Sequence, residues 1–272
     1  MKRRADLYDS HYSQSSTDVY QSVRSETYGS DFGQTSWITE QECDEFARWL
    51  GLRAGHRLLE VACGSGGTAL RLAEQFGVAV TGVDVNSAAI QAAEQRAQAS
   101  PARERAQLRV VDADEPLPFA DESFDAVFCN DAVNHLRDRA SVLAEWARVL
   151  KPGGRCLFTD PVVVTGPVTN AELEARSSIG FFLFLPLGVN ETLVRAAGLR
   201  VVLAADVTES MARISQRWHA ARAKHADTLR KRESDGNFEH LQHFLATVHM
   251  LSSERRLSRW AYVGEKPLES RD

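Results

Sequence analysis

The chain has 272 residues, enough for one large α/β domain or a domain with a cap, and enough to bury a sizeable core. It carries 32 Lys and Arg against 37 Asp and Glu, a net charge of −5. That balance argues against a general nucleic-acid binder or a protein of anionic membranes.

Met1-Lys2-Arg3-Arg4 is basic, but no apolar stretch follows it, so a signal peptide is not expected. Residues 1–36 are polar and show no clear period. They nevertheless hold Tyr8, Tyr12, Tyr20, Tyr28 and Phe32, with Trp37 just beyond, more aromatic side chains than a disordered tail carries. The expectation is a lid segment that folds over something, with a tight turn at Asp31-Phe32-Gly33-Gln34. Thr39-Glu40-Gln41-Glu42 is a capping box that starts a helix running to Leu50 and stopped by Gly51.

The chain is organised around the next stretch. Leu58-Leu59-Glu60-Val61 reads as a buried strand, Gly64-Ser65-Gly66-Gly67 as a glycine turn, and Thr68 to Phe76 as a helix closed by Gly77. Glycine lets the backbone approach a ligand, and the N–H groups at a helix start point at it. Gly64, Gly66 and Ala69 satisfy the loose dinucleotide pattern of a nicotinamide-dependent reductase. Glu60, Gly64 and Gly66, with Ala62 in place of a first glycine, satisfy the S-adenosylmethionine pattern. Glu60 would repel a pyrophosphate but suits an amino group or a ribose hydroxyl.

Val78 to Val83 is a second strand ending at Asp84, where a carboxylate can accept from both ribose hydroxyls. Asn86 caps a helix through Gln98. Leu108 to Val111 is a third strand, ending in Asp112-Ala113. Ala126 to Cys129 is a fourth, followed by Asn130 and His135. Asp138 to Leu150 is an amphipathic helix, and Lys151-Pro152-Gly153-Gly154 turns the chain into a fifth strand, Arg155 to Thr159, ending at Asp160. Such alternation means a parallel sheet with helices on both faces. Glu60, Asp84, Asp112, Asn130, His135 and Asp160 all fall at or just past strand ends, where ligands bind in such sheets.

Beyond Asp160 the pattern changes. The apolar run Phe181 to Leu185 belongs to the stretch Ile179 to Val189, which is too short to span a bilayer and holds Pro186 and Gly188. A helix over Glu191 to Ala197, a strand over Leu199 to Ala204, one long helix from Met211 to Arg232, a helix over 237–251 and a last strand from Leu257 to Val263 complete the reading. Cys43, Cys63, Cys129 and Cys156 are scattered without a C-x-x-C pair and read as free thiols of a reducing compartment. A soluble cytoplasmic protein without a metal site is expected.

Together these residues resemble the class I S-adenosylmethionine-dependent methyltransferases of small molecules. Glu60-Val61-Ala62-Cys63-Gly64-Ser65-Gly66 is similar to the family's glycine loop, Asp84 to its ribose acid, Asp112-Ala113 to its adenine pair, and Leu150-Lys151-Pro152-Gly153-Gly154 to its turn into strand five. His135-Leu136-Arg137-Asp138 is similar to the segment after strand four in sarcosine/dimethylglycine and phosphoethanolamine-type N-methyltransferases and in natural-product O- and N-methyltransferases. The resemblance implies a Rossmann-like, seven-stranded, mostly parallel sheet with its last strand antiparallel, plus helical cap insertions. It implies a lid over residues 1–36, a cofactor core over 37–160, caps over 161–189 and 208–252, and the rest of the sheet over 190–207 and 253–266.

S-adenosylmethionine is then the implied cofactor, held by Glu60, Ala62, Gly64, Gly66, Asp84, Val85, Asp112, Ala113 and Asn130. His135 is nominated as a base of near-neutral pKa, with Asp160 to orient it or the substrate. Tyr20, Tyr28, Phe181 and Trp218 are candidate substrate contacts, since aromatic rings suit a planar ring system or an alkylammonium. The partner is a small-molecule methyl acceptor at N or O, with neither nucleic acid nor membrane. Carbon methylation of a quinone, polyketide or terpenoid-like acceptor and nicotinamide-dependent reduction are the alternatives. Neither the acceptor nor the oligomeric state is written in the sequence.

Overall fold

The computed structural model describes residues 17–268, so Tyr8 and Tyr12 lie outside the described residues. The chain opens with helices α1 (Asp18–Tyr28) and α2 (Glu40–Trp49). Then β1 (Arg57–Val61), α3 (Gly67–Phe76), β2 (Ala79–Asp84), α4 (Ser87–Gln98), β3 (Ala106–Val110), β4 (Phe124–Cys129), α5 (Arg139–Val149) and β5 (Leu150–Val164) alternate. The second half holds α6 (Asn170–Arg176), β6 (Leu185–Pro186), α7 (Val189–Ala196), β7 (Arg200–Asp206), α8 (Thr208–Lys224), α9 (Ala226–Glu233), α10 (Asp235–Ser253) and β8 (Leu257–Glu265).

The strand order is β3-β2-β1-β4-β5-β8-β7, with the two-residue β6 beside β5. β1 to β6 pair in parallel, and β8 is antiparallel to both β5 and β7. The expected mostly parallel sheet with an antiparallel last strand is therefore present. The chain winds outward from β1 to β3 and then returns to β4 on the other side of β1. That reversal opens a crevice between the C-terminal ends of β1 and β4.

Alternation along the strands sorts the core into two layers. Leu58, Val80, Ala126, Phe128 and Leu157 face α2 and α3 through Phe46, Leu70 and Ala73. Leu59, Val61, Val127, Cys129 and Phe158 face α5 and α7 through Leu143, Trp146 and Val194. The capping box at Thr39 and Glu42 is formed, and the Asn86 side chain accepts from the Ala89 N–H.

Three elements depart from the sequence expectation. β5 does not end at Asp160 but continues through Pro161-Val162-Val163 to Val164. Lys151-Pro152-Gly153-Gly154 is not a turn before that strand. It is an irregularity within it, where the register to β4 slips between Phe124 and Ala126 and Gly153 takes φ 76°. The single helix over Met211 to Arg232 is broken at His225 into α8 and α9. There the His225 Nε2 meets Glu26 Oε1 of α1 at 2.9 Å, and Lys224 Nζ bonds the same carboxylate at 2.9 Å.

α1 and the helices α8 to α10 pack together through Tyr20, Val23, Ala221, Leu229 and Phe238. A second cluster joins Trp37 to Met211, Ile214, Phe244 and Leu245. No helix among the described residues is long and apolar enough to cross a membrane. The four cysteines are free and buried.

Candidate active site

The crevice between β1 and β4 holds a small, partly open cleft. Its inner wall is Glu60, Ala62 to Gly64, Gly67 and Thr68, and Asn130 closes one end. Its outer wall is Gly33 to Ser36, a strap between α1 and α2. The strap is self-braced: Gly33 N–H donates to Asp31 Oδ1 and Phe32 N–H to Gln34 Oε1, both at 2.9 Å. The tight turn expected at Asp31 to Gln34 is thus formed, and what it folds over is the glycine turn.

Ala62 has φ 57°, Gly64 53° and Gly66 75°. Ala62 therefore holds the left-handed backbone that glycine adopts at no steric cost. A Cβ at Gly66 would lie 2.9 Å from the Ala93 Cβ, and one at Gly67 only 2.5 Å from the Gly33 carbonyl carbon. These glycines are demanded by α4 and by the strap as well as by any ligand. Gly67, absent from the sequence-based site, is the one the strap needs.

Glu60 is 3% exposed, and its Oε2 has no hydrogen-bond partner among the described residues. Burial, and then the charge of Asp84, pushes its pKa up to about 8. Asp84 Oδ2 accepts from the Gly64 N–H at 2.9 Å and Oδ1 from the Asn86 N–H at 2.8 Å. The carboxylate thereby ties the glycine turn to the end of β2. Val85 is 60% exposed next to it. Asp112 is exposed and caps its own turn by accepting from the Asp114 N–H, and Ala113 is half-buried.

His135 ends a short 3-10 turn after β4. Its Nδ1 lies 2.8 Å from the Phe181 carbonyl, and its ring meets Phe182 edge-on at 4.6 Å. A carbonyl only accepts, so Nδ1 carries the proton and Nε2 is the ring's acceptor. Burial pushes the pKa down to about 4, with the Phe181 carbonyl pulling the other way. The near-neutral pKa expected of this base is thus corrected downward.

Asp160 is not where a catalytic carboxylate would be. It is fully buried in β5, accepting from Arg139 Nη1 at 2.5 Å, Asn190 Nδ2 at 3.0 Å and the Val162 N–H at 3.1 Å. None of these bonds goes to His135, and the geometry makes Asp160 an internal counter-ion between β5, α5 and α7.

The aromatic candidates also separate. The Tyr20 hydroxyl donates to Glu233 inside the cluster joining α1 to the cap. Trp218 packs edge-on against Trp37 at 6.1 Å. Tyr28 donates to the Ser36 carbonyl at 2.9 Å and so braces the strap. Phe181 contributes its carbonyl to His135, while its side chain leaves the residue 50% exposed. Three of the four therefore fasten the lid rather than line the cleft.

Sequence reasoning missed a polar cluster behind the cleft. Asn130 Nδ2 donates to Ser36 Oγ at 2.6 Å, and Asp131 Oδ2 accepts from the Trp37 N–H at 2.9 Å. Thr159 and Arg259 complete it. The available signal was Arg259 itself, a charge within the apolar strand Leu257 to Val263, where burial demands partners.

A strand, glycine turn and helix with acids at two neighbouring strand ends define a nucleotide-type site on a doubly wound sheet. Comparison narrows the class. The family profile described as "Methyltransferase domain" matches residues 59–158. The 27-O-demethylrifamycin SV methyltransferase of Amycolatopsis mediterranei is 35% identical over 174 residues, covering 63% of this chain and 64% of that protein. The O-methyltransferase rstn1 of Aspergillus nomiae is 30% identical over 174 residues, covering 63% of this chain and 76% of that one. Among solved structures, phosphoethanolamine N-methyltransferase 2 of Haemonchus contortus, in complex with S-adenosylhomocysteine, superposes with TM-score 0.79 at 22% identity, over 98% of this chain and 61% of that one. This chain spans just under two thirds of the rifamycin enzyme's length. The chain belongs to the methyltransferase family.

Proposed function

We propose that this protein transfers the methyl group of S-adenosylmethionine to a hydroxyl oxygen, or a nitrogen, of a small molecule. The observation that carries the reading is the convergence of Glu60, Gly64, Gly67 and Asn130 on one cleft, with Asp84 bonded to the Gly64 N–H behind the turn. The fit is supported by chemistry: a buried carboxyl whose Oε2 has no hydrogen-bond partner among the described residues, beside Asp84, suits a cationic group, and the glycine turn admits only backbone. The names of the relatives from Amycolatopsis and Aspergillus favour oxygen as the acceptor atom.

When bound, the cofactor supplies an electrophilic methyl on a sulfonium cation. Asp84 would accept from the ribose hydroxyls. Asp112, Ala113 and Val85 would flank the base at the outer strand ends. Glu60 would meet the amino group of the cofactor's amino-acid portion. His135, neutral across the physiological range, would take the acceptor's proton or hydrogen bond at Nε2. The main task left to the chain is alignment, worth effective molarities of ~10⁵ M or more in well-oriented reactions.

In this reading residues 37–160 bind the cofactor, 161–189 and 208–252 form the cap, and 190–207 with 253–266 complete the sheet. The net charge of −5 and the buried free thiols support a cytoplasmic setting with no nucleic-acid partner. The test is parallel calorimetric titration with S-adenosylmethionine, S-adenosylhomocysteine, NADH and NADPH, followed by a screen of hydroxylated acceptors scored by S-adenosylhomocysteine release. Binding of the sulfur compounds alone is expected. Binding of a nicotinamide cofactor instead would overturn the reading.

A further inference from the structure

Arg259 lies in β8 with its side chain fully buried. A buried guanidinium persists only where acceptors match its N–H groups. Here Nε donates to Asp131 Oδ1 at 2.6 Å. Nη1 donates to Glu42 Oε1 and to Ser210 Oγ, both at 2.9 Å, and Nη2 to Asn130 Oδ1 at 3.1 Å. The four acceptors belong to the first turn of α2, the first turn of α8 and the segment after β4.

Two of these acceptors pass the hold on to the strap. Asp131 Oδ2 takes the Trp37 N–H, and Asn130 Nδ2 donates to Ser36 Oγ. The Thr159 hydroxyl donates to Asp131 Oδ1 and accepts from the Asp131 N–H, both at 2.7 Å, and so fixes that residue from β5. With its oxygen engaged by Arg259, the Asn130 amide must turn its nitrogen toward the strap. Asp131 itself holds φ 55°, a left-handed backbone that surrounding contacts must maintain. Arg259 does not line the cleft, whereas Ser36 and Asn130 do.

We infer that Arg259 is a positioning residue which, through Asp131 and Asn130, holds the strap closed over the glycine turn and so sets the cleft for its ligand. Closure is thereby coupled to the seating of the cap, because the same guanidinium grips Ser210 at the root of α8. The inference rests on the proposed function only for the identity of the ligand used below.

The first test is Arg259→Lys, which keeps the charge but loses the planar fork that reaches several acceptors at once. Three readouts are taken: backbone amide exchange, the dissociation constant for S-adenosylhomocysteine, and the thermal midpoint. Exchange across residues 30–37 is expected to speed up at least tenfold and the dissociation constant to rise at least tenfold, while exchange in β1 and α3 stays as in the parent. Strap exchange and affinity within twofold of the parent, in a folded variant, would overturn the inference. If the lysine variant does not fold, Ser36→Ala and Asp131→Asn cut the chain nearer the strap. Each must then loosen residues 30–37, and the double variant must loosen them by less than the product of the two single effects, as members of one chain do. Failure of either condition overturns the inference. If the parent binds no S-adenosylhomocysteine, the cofactor reading falls, but the exchange comparison still decides the role of Arg259.

Discussion

Glu60 and His135 each sit in surroundings that favour the neutral form, and both give pH-dependent predictions. The folded pKa of Glu60 is raised to about 8, above the ~4.3 of an unperturbed glutamate. Its contribution to stability is therefore full below about pH 4 and is lost as pH rises through 8, at about 1.4 kcal/mol per unit of difference. In the unliganded protein at pH 7 the carboxyl is mostly protonated, and a cation seated beside it would expel that proton. Titration with S-adenosylmethionine at pH 7 in buffers of different ionisation heat should show proton release. The release should vanish in Glu60→Gln, and equal release in both would remove Glu60 from the cofactor site. His135 is depressed to about 4, so its contribution is full above the unfolded value of ~6.5 and is lost as pH falls toward 4. Its titration should leave no inflection in kcat/KM between pH 6 and 7. His135→Ala should lower kcat by roughly 10²- to 10⁴-fold, the usual worth of general acid–base help, with cofactor affinity nearly unchanged. Turnover within threefold of the parent would leave alignment alone as the source of rate.

At the scale of elements, Asp160 shows how a strand-end acid can be structural. Asp160→Asn would leave the Arg139 guanidinium, buried between β5 and α5, without its counter-charge, at a cost of about 3–5 kcal/mol. Urea unfolding should report that loss. A normal midpoint with reduced kcat would instead restore a catalytic role. Position along the chain could not separate Asp160 from Asp84, because both end an apolar strand segment. The difference lies in Arg139 and Asn190, which come from α5 and α7. The repeating units from β1 to β5 were legible because apolar period, caps and glycine stops agreed with one another. What escaped were features set by distant partners. The break at His225 answers to Glu26, and the need for glycine at Gly67 answers to the Gly33 backbone. The extension of β5 to Val164 follows from pairing with Ser258 and Leu257 of β8. Glu60, Asp84, Asp112 and Asn130 were readable as strand ends, whereas Ser36, Asp131 and Arg259 meet only in space.

At the scale of the whole molecule, strap and sheet enclose the cleft together, so a ligand that fills it should stiffen both. S-adenosylhomocysteine at a hundred times its dissociation constant should add about 2.7 kcal/mol of stability. At roughly 2–4 °C per kcal/mol for a chain of this size, the thermal midpoint should rise by about 5–10 °C. A scan showing no shift at that concentration would contradict the proposed cofactor. The way the cap joins the sheet has a further meaning. β7 ends at Asp206, which pairs with Trp260, and β8 begins three residues earlier at Leu257, so the chain leaves the sheet and returns to it at the same end of one antiparallel pair. Everything from α8 to α10 is strung between those two roots. The three helices are thus one insertion between two paired strands: a segment of another length could join the same two roots without changing how β7 pairs with β8.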